Sequence, residues 1–160
     1  LRNPLIFKMK YIFKIYTSNP GVSGVVGRAC HEALKFYYGG NPDVVVPVDP
    51  DEARGEATDY GLEYLDKYPD GGIDFGKTGT REDMLKRYVQ MMQNYWNEEP
   101  TYQTVLMCEK KLENEMRTMD GQLMPLPGKG IPDLVVEEDN ELDIIDTKFV
   151  STFTDHSTED

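Results

Sequence analysis

A chain of 160 residues is long enough to bury a real core, and its size fits one domain spanning 1–160. A net charge of −12 argues against a uniformly basic nucleic-acid binder, and no apolar run approaches the length of a membrane span. The two cysteines, Cys30 and Cys108, form no C-x-x-C pair, which excludes a cysteine zinc cluster or a disulfide framework and suits a reducing, cytoplasmic setting; no signal peptide is evident.

The charge is unevenly placed. Residues 1–40 carry +5 and the remainder −17. Leu5–Tyr16 reads as a helix bearing Lys8, Lys10 and Lys14. Together with Arg28 these are candidates for a local phosphate-binding surface. Met9, Tyr11, Ile12 and Phe13 interleave the lysines, so stacking on unpaired bases is one use of the segment. Inward packing of Phe7, Tyr11 and Ile15 on an amphipathic helix is the commoner use.

Thr17 to Gly21 breaks this helix, and a second is expected from Val22 to about Tyr38, ended by Gly39-Gly40. Gly24 and Gly27 lower its intrinsic stability and suggest a close approach to another backbone. A proline-rich loop over Asn41–Pro50 leads to a helix over Asp51–Tyr68, with Asp51, Glu52 and Glu56 near its start. After the glycine-rich loop Pro69–Thr80, Arg81–Asn97 is strongly amphipathic, with Met84, Leu85, Tyr88, Met91, Met92 and Tyr95 as its apolar stripe. Tyr102–Glu115 begins as a strand that the charged Glu109-Lys110-Lys111 stretch could continue, and Met119-Asp120-Gly121-Gln122 reads as a turn. Helices followed by strands suit an α/β sheet flanked by helices.

The glycine-rich loop contains Gly71-Gly72-Ile73-Asp74-Phe75-Gly76-Lys77-Thr78, which spells the phosphate-loop pattern G-x-x-x-x-G-K-T. Such a loop must follow a buried strand and open a helix. Here a polar, proline-containing stretch precedes it and Gly79 interrupts the junction to the next helix, so nucleotide binding at 71–78 is the weaker alternative.

Two short apolar runs near the end carry acids where a half-buried strand would hold hydrophobes: Pro132-Asp133-Leu134-Val135-Val136 and Leu142-Asp143-Ile144-Ile145-Asp146-Thr147-Lys148. A two-residue turn at Asp139-Asn140 sets a register in which Asp133 faces Asp146 on one sheet face. Lys148, two residues on, projects from that face. Carboxylates this close repel unless a proton or cation lies between them, and hard divalent cations take carboxylate oxygens. Solvated strand-end acids are the ordinary alternative in so acidic a chain. Glu109 could face the site as an added acid, although a strand-end surface acid is the commoner case, and His156 is expected to be a solvated residue of the acidic tail.

P-D followed across a hairpin by D-x-K resembles the core of the PD-(D/E)xK nuclease superfamily. Gly27-Arg28-Ala29-Cys30-His31-Glu32-Ala33-Leu34 is similar to the G-x-x-x-H-x-x-L helix of its RecB-like exonuclease branch, known from phages and prokaryotes. The order of motifs also fits, and the likeness spans roughly Asn3 to Val150. The resemblance implies a restriction-endonuclease-like core, a central mixed β-sheet flanked by helices. It implies Mg²⁺ or Mn²⁺ held by His31, Asp133, Asp146 and the main-chain carbonyl of Thr147, with Asp133, Asp146 and Lys148 catalytic. The implied reaction is hydrolysis of DNA, at single-stranded or duplex ends, leaving a 5′-phosphate. A recombination or replication protein is the implied partner and the cytoplasm the implied location. Some RecB-like relatives carry a four-cysteine iron–sulfur cluster, and two cysteines lead us to expect none. The Q-x-x-x-Y helix of that branch is missing after D-x-K, and the chain starts at Leu1, so truncation at both ends is expected. A non-catalytic metal-binding or protein-interaction module on the same fold is the alternative.

Overall fold

A computed structural model describes residues 8, 13, 19–39, 46–47, 49–77, 79–125 and 127–149. Lys10, Lys14, His156 and most of the expected Leu5–Tyr16 helix lie outside the described residues.

Three helices form one layer. Helix α1, Val22–Tyr37, buries Val25, Val26, Ala29, Cys30, Ala33 and Leu34, the three- and four-residue spacing of a single helical face. Past Tyr37 the Tyr38 and Gly39 N–H groups close on the Leu34 and Phe36 carbonyls, and the φ of 69° at Gly39 turns the chain out of the helix. Helix α2, Pro50–Asp66, starts where Asp49 accepts from the Asp51 and Glu52 N–H groups and Pro50 supplies a preset first turn. Its buried stripe is small: Ala53, Ala57, Gly61 and Leu65, each four residues on. Helix α3, Arg81–Asn97, opens with a capping box between Thr80 and Asp83 and buries Met84, Tyr88 and Met92. Arg81 binds Asp66 and Asp70 beside the end of α2, while Arg54 near the start of α2 binds Glu99 just past α3. The two helices therefore run antiparallel.

The close approach occurs at Gly61, not at Gly24 or Gly27. A Cβ at either α1 glycine would meet nothing within 4 Å. At Gly61 it would fall on the Tyr88 hydroxyl and lie 2.9 Å from the Ala29 carbonyl oxygen. Tyr88 uses the space by passing α2 and donating to the Thr58 carbonyl at 2.8 Å. Trp96 donates to the Thr58 hydroxyl at 3.0 Å, so one residue of α2 anchors two side chains of α3.

The strands are β1 (Thr104–Cys108), β2 (Leu112–Asn114), β3 (Gly128–Gly130), β4 (Leu134–Glu138) and β5 (Glu141–Ile145). They form a three-stranded sheet in the order β1-β4-β5 and a β2-β3 ribbon, and each of these pairings is antiparallel. Leu134 pairs with Ile145 and Val135 with Ile144, so the hairpin has the register that a turn at Asp139-Asn140 sets. Both turn residues have positive φ, 51° and 66°, as a type I′ turn requires. Gln103 fastens the turn to β1 through reciprocal 3.1 Å hydrogen bonds with Asp139.

Strand β1 carries a bulge between Val105 and Met107. The extra residue lets Val105 and Cys108, three apart, both join the core face with Leu134, Val136 and Ile145. Tyr38 packs against this sheet cluster and against the helical cluster, joining the layers. Cys30 and Cys108 are free and buried, one in each cluster, and burial pushes each thiol up to about 12. No helix among the described residues is long and apolar enough to cross a membrane.

Candidate metal centre

The strand expected to continue through Glu109 instead ends at Cys108. Glu109 has φ 50°, a left-handed conformation uncommon for a non-glycine residue. Its N–H donates to the Asp133 carbonyl at 3.0 Å, which fixes this break beside the start of β4. The break turns the Glu109 side chain toward α1, where its Oε1 lies 3.3 Å from His31 Nδ1. Glu109 is thus part of the site rather than a surface acid.

Asp133 comes from the other side. Its Oδ1 lies 3.7 Å from His31 Nδ1, and its Oδ2 accepts the Thr147 N–H at 2.6 Å. The bond locks the carboxylate onto the chain leaving β5. His31 lies at the half-buried edge of the packed face of α1 and is held by Phe149, whose ring meets it edge-on at 5.6 Å. One ligand atom from each of His31, Glu109 and Asp133 lies within 4.8 Å of the others, and all three are half-buried. Burial pushes the Glu109 carboxyl above its ordinary range; His31 opposes the rise and Asp133 adds to it.

These residues fit a divalent cation. One imidazole and two carboxylates, close together and half-buried, form a mixed nitrogen–oxygen donor set in which a cation relieves the repulsion between the acids. The spacing matches ligand atoms arranged around an ion at bond lengths of about 2.0–2.6 Å.

Of the residues expected at the site, His31 and Asp133 come together. Thr147 adjoins them through its N–H. The Asp146 carboxylate is exposed and does not share the three-residue group. Strand β5 ends at Ile145, so the pleat no longer dictates where Asp146 points, and Lys148 Nζ holds it at 2.6 Å. That carboxylate raises the Lys148 ammonium above its ordinary range, with a smaller contribution from Asp133. Lys8 is exposed with its Nζ 5.4 Å from the Phe13 ring, and Arg28 is exposed and engages Tyr68.

The 71–78 segment follows α2 and a 3-10 turn at Asp70–Gly72, not a buried strand. This is not the setting of a phosphate loop.

The fold is thus an α/β one that sets an acid-bearing hairpin beside a helix-borne histidine. A family model of the PD-(D/E)XK nuclease superfamily matches residues 1–159. The chain belongs to that superfamily. Searches of curated proteins and of solved structures returned no match.

Proposed function

We propose that this protein is a metal-dependent deoxyribonuclease of the RecB-like type that acts as an exonuclease on DNA ends. The observation that carries this reading is the convergence of His31, Glu109 and Asp133 within 4.8 Å of one another, next to the D-x-K lysine, in a chain of this superfamily. His31, Glu109 and Asp133 would hold Mg²⁺ or Mn²⁺, and Asp146 and the Thr147 carbonyl would complete the set once Asp146 exchanges its bond to Lys148 for the ion. A divalent cation supplies charge neutralisation at the phosphate and a more acidic water. The protein groups do the rest. Thr147 and Phe149 hold Asp133 and His31 in place, so the donor set is organised before substrate arrives. Lys148 presents a cation beside the site, where it orients the attacking water and stabilises charge developing on the phosphate. Asp146 keeps that ammonium protonated and localised until a phosphate competes for it. Products carry a 5′-phosphate. The setting is the cytoplasm of a prokaryotic or phage-infected cell, with a recombination or replication protein as partner.

The test is cleavage of end-labelled single- and double-stranded DNA, linear and circular, with Mg²⁺ or Mn²⁺ and with chelator. Linear DNA is degraded from its ends, chelator stops the reaction, and Asp133→Ala, Asp146→Ala and Lys148→Ala each abolish it. Full cleavage in any of these purified, folded variants refutes the assignment. Metal-dependent stabilisation without cleavage of any substrate assigns the chain to the non-catalytic alternative.

A further inference from the structure

We propose that the groove between the C-terminal half of α3 and the segment after β5 binds one unpaired nucleobase beside the phosphate under attack; this rests on the nuclease reading above. The groove has a volume of about 270 Å³ and is lined chiefly by Met91, Asn94, Tyr95, Glu98, Lys148 and Phe149. It lies just below the usual range of small-ligand pockets, which suits a single planar ring system rather than a longer ligand.

Position links the groove to the chemistry. Phe149 meets His31 edge-on at 5.6 Å and meets Tyr95 at 6.0 Å. One ring thus separates the metal site from the groove. Lys148 lines the groove and lies within electrostatic reach of Asp133, so a nucleotide whose phosphate lies at the ammonium has its base directed along α3.

The lining selects a base over other ligands. Tyr95, Phe149 and Met91 are half-buried, and Tyr95 is pinned through a 2.9 Å contact between its hydroxyl and that of Tyr38. Such held faces offer stacking surface at low entropic cost. Asn94 and Glu98 are exposed on the polar side. Glu98 repels a phosphate or carboxylate inside the groove but accepts the N–H groups on a base edge. A base in a duplex is stacked on both faces and cannot enter, so the groove favours single-stranded or frayed ends.

The test uses octathymidylate with one 2-aminopurine walked through each position, in Ca²⁺ so that binding is read apart from cleavage. Stacking in the groove quenches the fluorophore at one position. Asn94→Trp, at an exposed helix position, fills the groove without touching the core. It removes that quench and weakens binding about tenfold, the scale of one stacked base, while the thermal midpoint stays put. An abasic residue at the same position costs the wild-type protein the same tenfold and costs Asn94→Trp nothing further. Absence of quenching at every position, or quenching unchanged in Asn94→Trp, overturns the proposal. Cleavage of unmodified DNA without the quench removes the groove and leaves the nuclease; the quench without cleavage does the reverse; neither binding nor cleavage overturns both.

Discussion

Replacing Glu109 by glutamine separates the two effects of its charge, one harmful to the ion-free fold and one needed for the ion. Its carboxylate lies within 4.8 Å of Asp133, a separation at which two like charges repel by about 3.5 kcal/mol at an effective dielectric of 20. Both groups are partly exposed and His31 at 3.3 Å offsets the repulsion, so that burial and repulsion together leave a net cost of about 1–2 kcal/mol. Burial raises the Glu109 pKa above 4.5, so the folded state holds the proton more tightly than the unfolded state does. The contribution of Glu109 to the stability of the ion-free protein is therefore full below pH 4.5 and is lost as pH rises through the raised value. Glu109→Gln removes that loss, and at pH 7 in chelator it melts about 2–8 °C higher than wild type. With Mn²⁺ at about 100 times its dissociation constant, wild type gains about 2.7 kcal/mol, or about 5–11 °C. A hundredfold weaker site at the same Mn²⁺ concentration gains only about 0.4 kcal/mol, so the variant moves by about 1–2 °C. Thermal melts from pH 4 to 8, with chelator and with Mn²⁺, measure all of these. An equal Mn²⁺ shift in both proteins, or a variant that melts lower in chelator, refutes the reasoning.

Other perturbations test the scaffold. Gly61→Ala forces α1, α2 and Tyr88 apart and lowers stability by about 1–3 kcal/mol in chemical denaturation, whereas Gly24→Ala, which meets open space, does not destabilise. Asn140→Val puts a β-branched residue at φ 66° and costs about 1–2 kcal/mol, while Asn140→Gly is neutral or slightly stabilising by the same measurement. Thr147→Pro removes the N–H that Asp133 accepts, a charge-assisted bond worth about 1.5–3 kcal/mol, and shrinks the Mn²⁺-induced rise in melting temperature.

The hairpin was legible because its signals are local. A polar, turn-forming Asp-Asn pair between two apolar runs fixes a register, and the observed pairing of Leu134 with Ile145 is that register. Helices α1 and α3 were legible for the same reason, through their periodic apolar faces. Glu109 was not, because its role depends on a left-handed break stabilised by the Asp133 carbonyl, a contact made 24 residues away. A charged residue directly after a buried strand was the available signal, and it also fits a surface acid. Gly61 was hidden by the same locality. Its partner is a tyrosine on another helix, whereas Gly24 and Gly27 drew notice only by sitting in an apolar helix. The alternation rule carried Asp146 one residue past the end of β5, where the backbone no longer obeys it.

The three clustered ligands come from α1, the end of β1 and the start of β4, far apart in the chain. Glu109 and Asp133 meet where β1 pairs with β4, but His31 joins them only when the helical layer has docked on the sheet, so a half-folded chain offers an ion two acids and no imidazole. An ion held there would act as a late clamp, slowing the escape of the finished fold more than it hastens folding, and its occupancy would report on whether the two layers are joined.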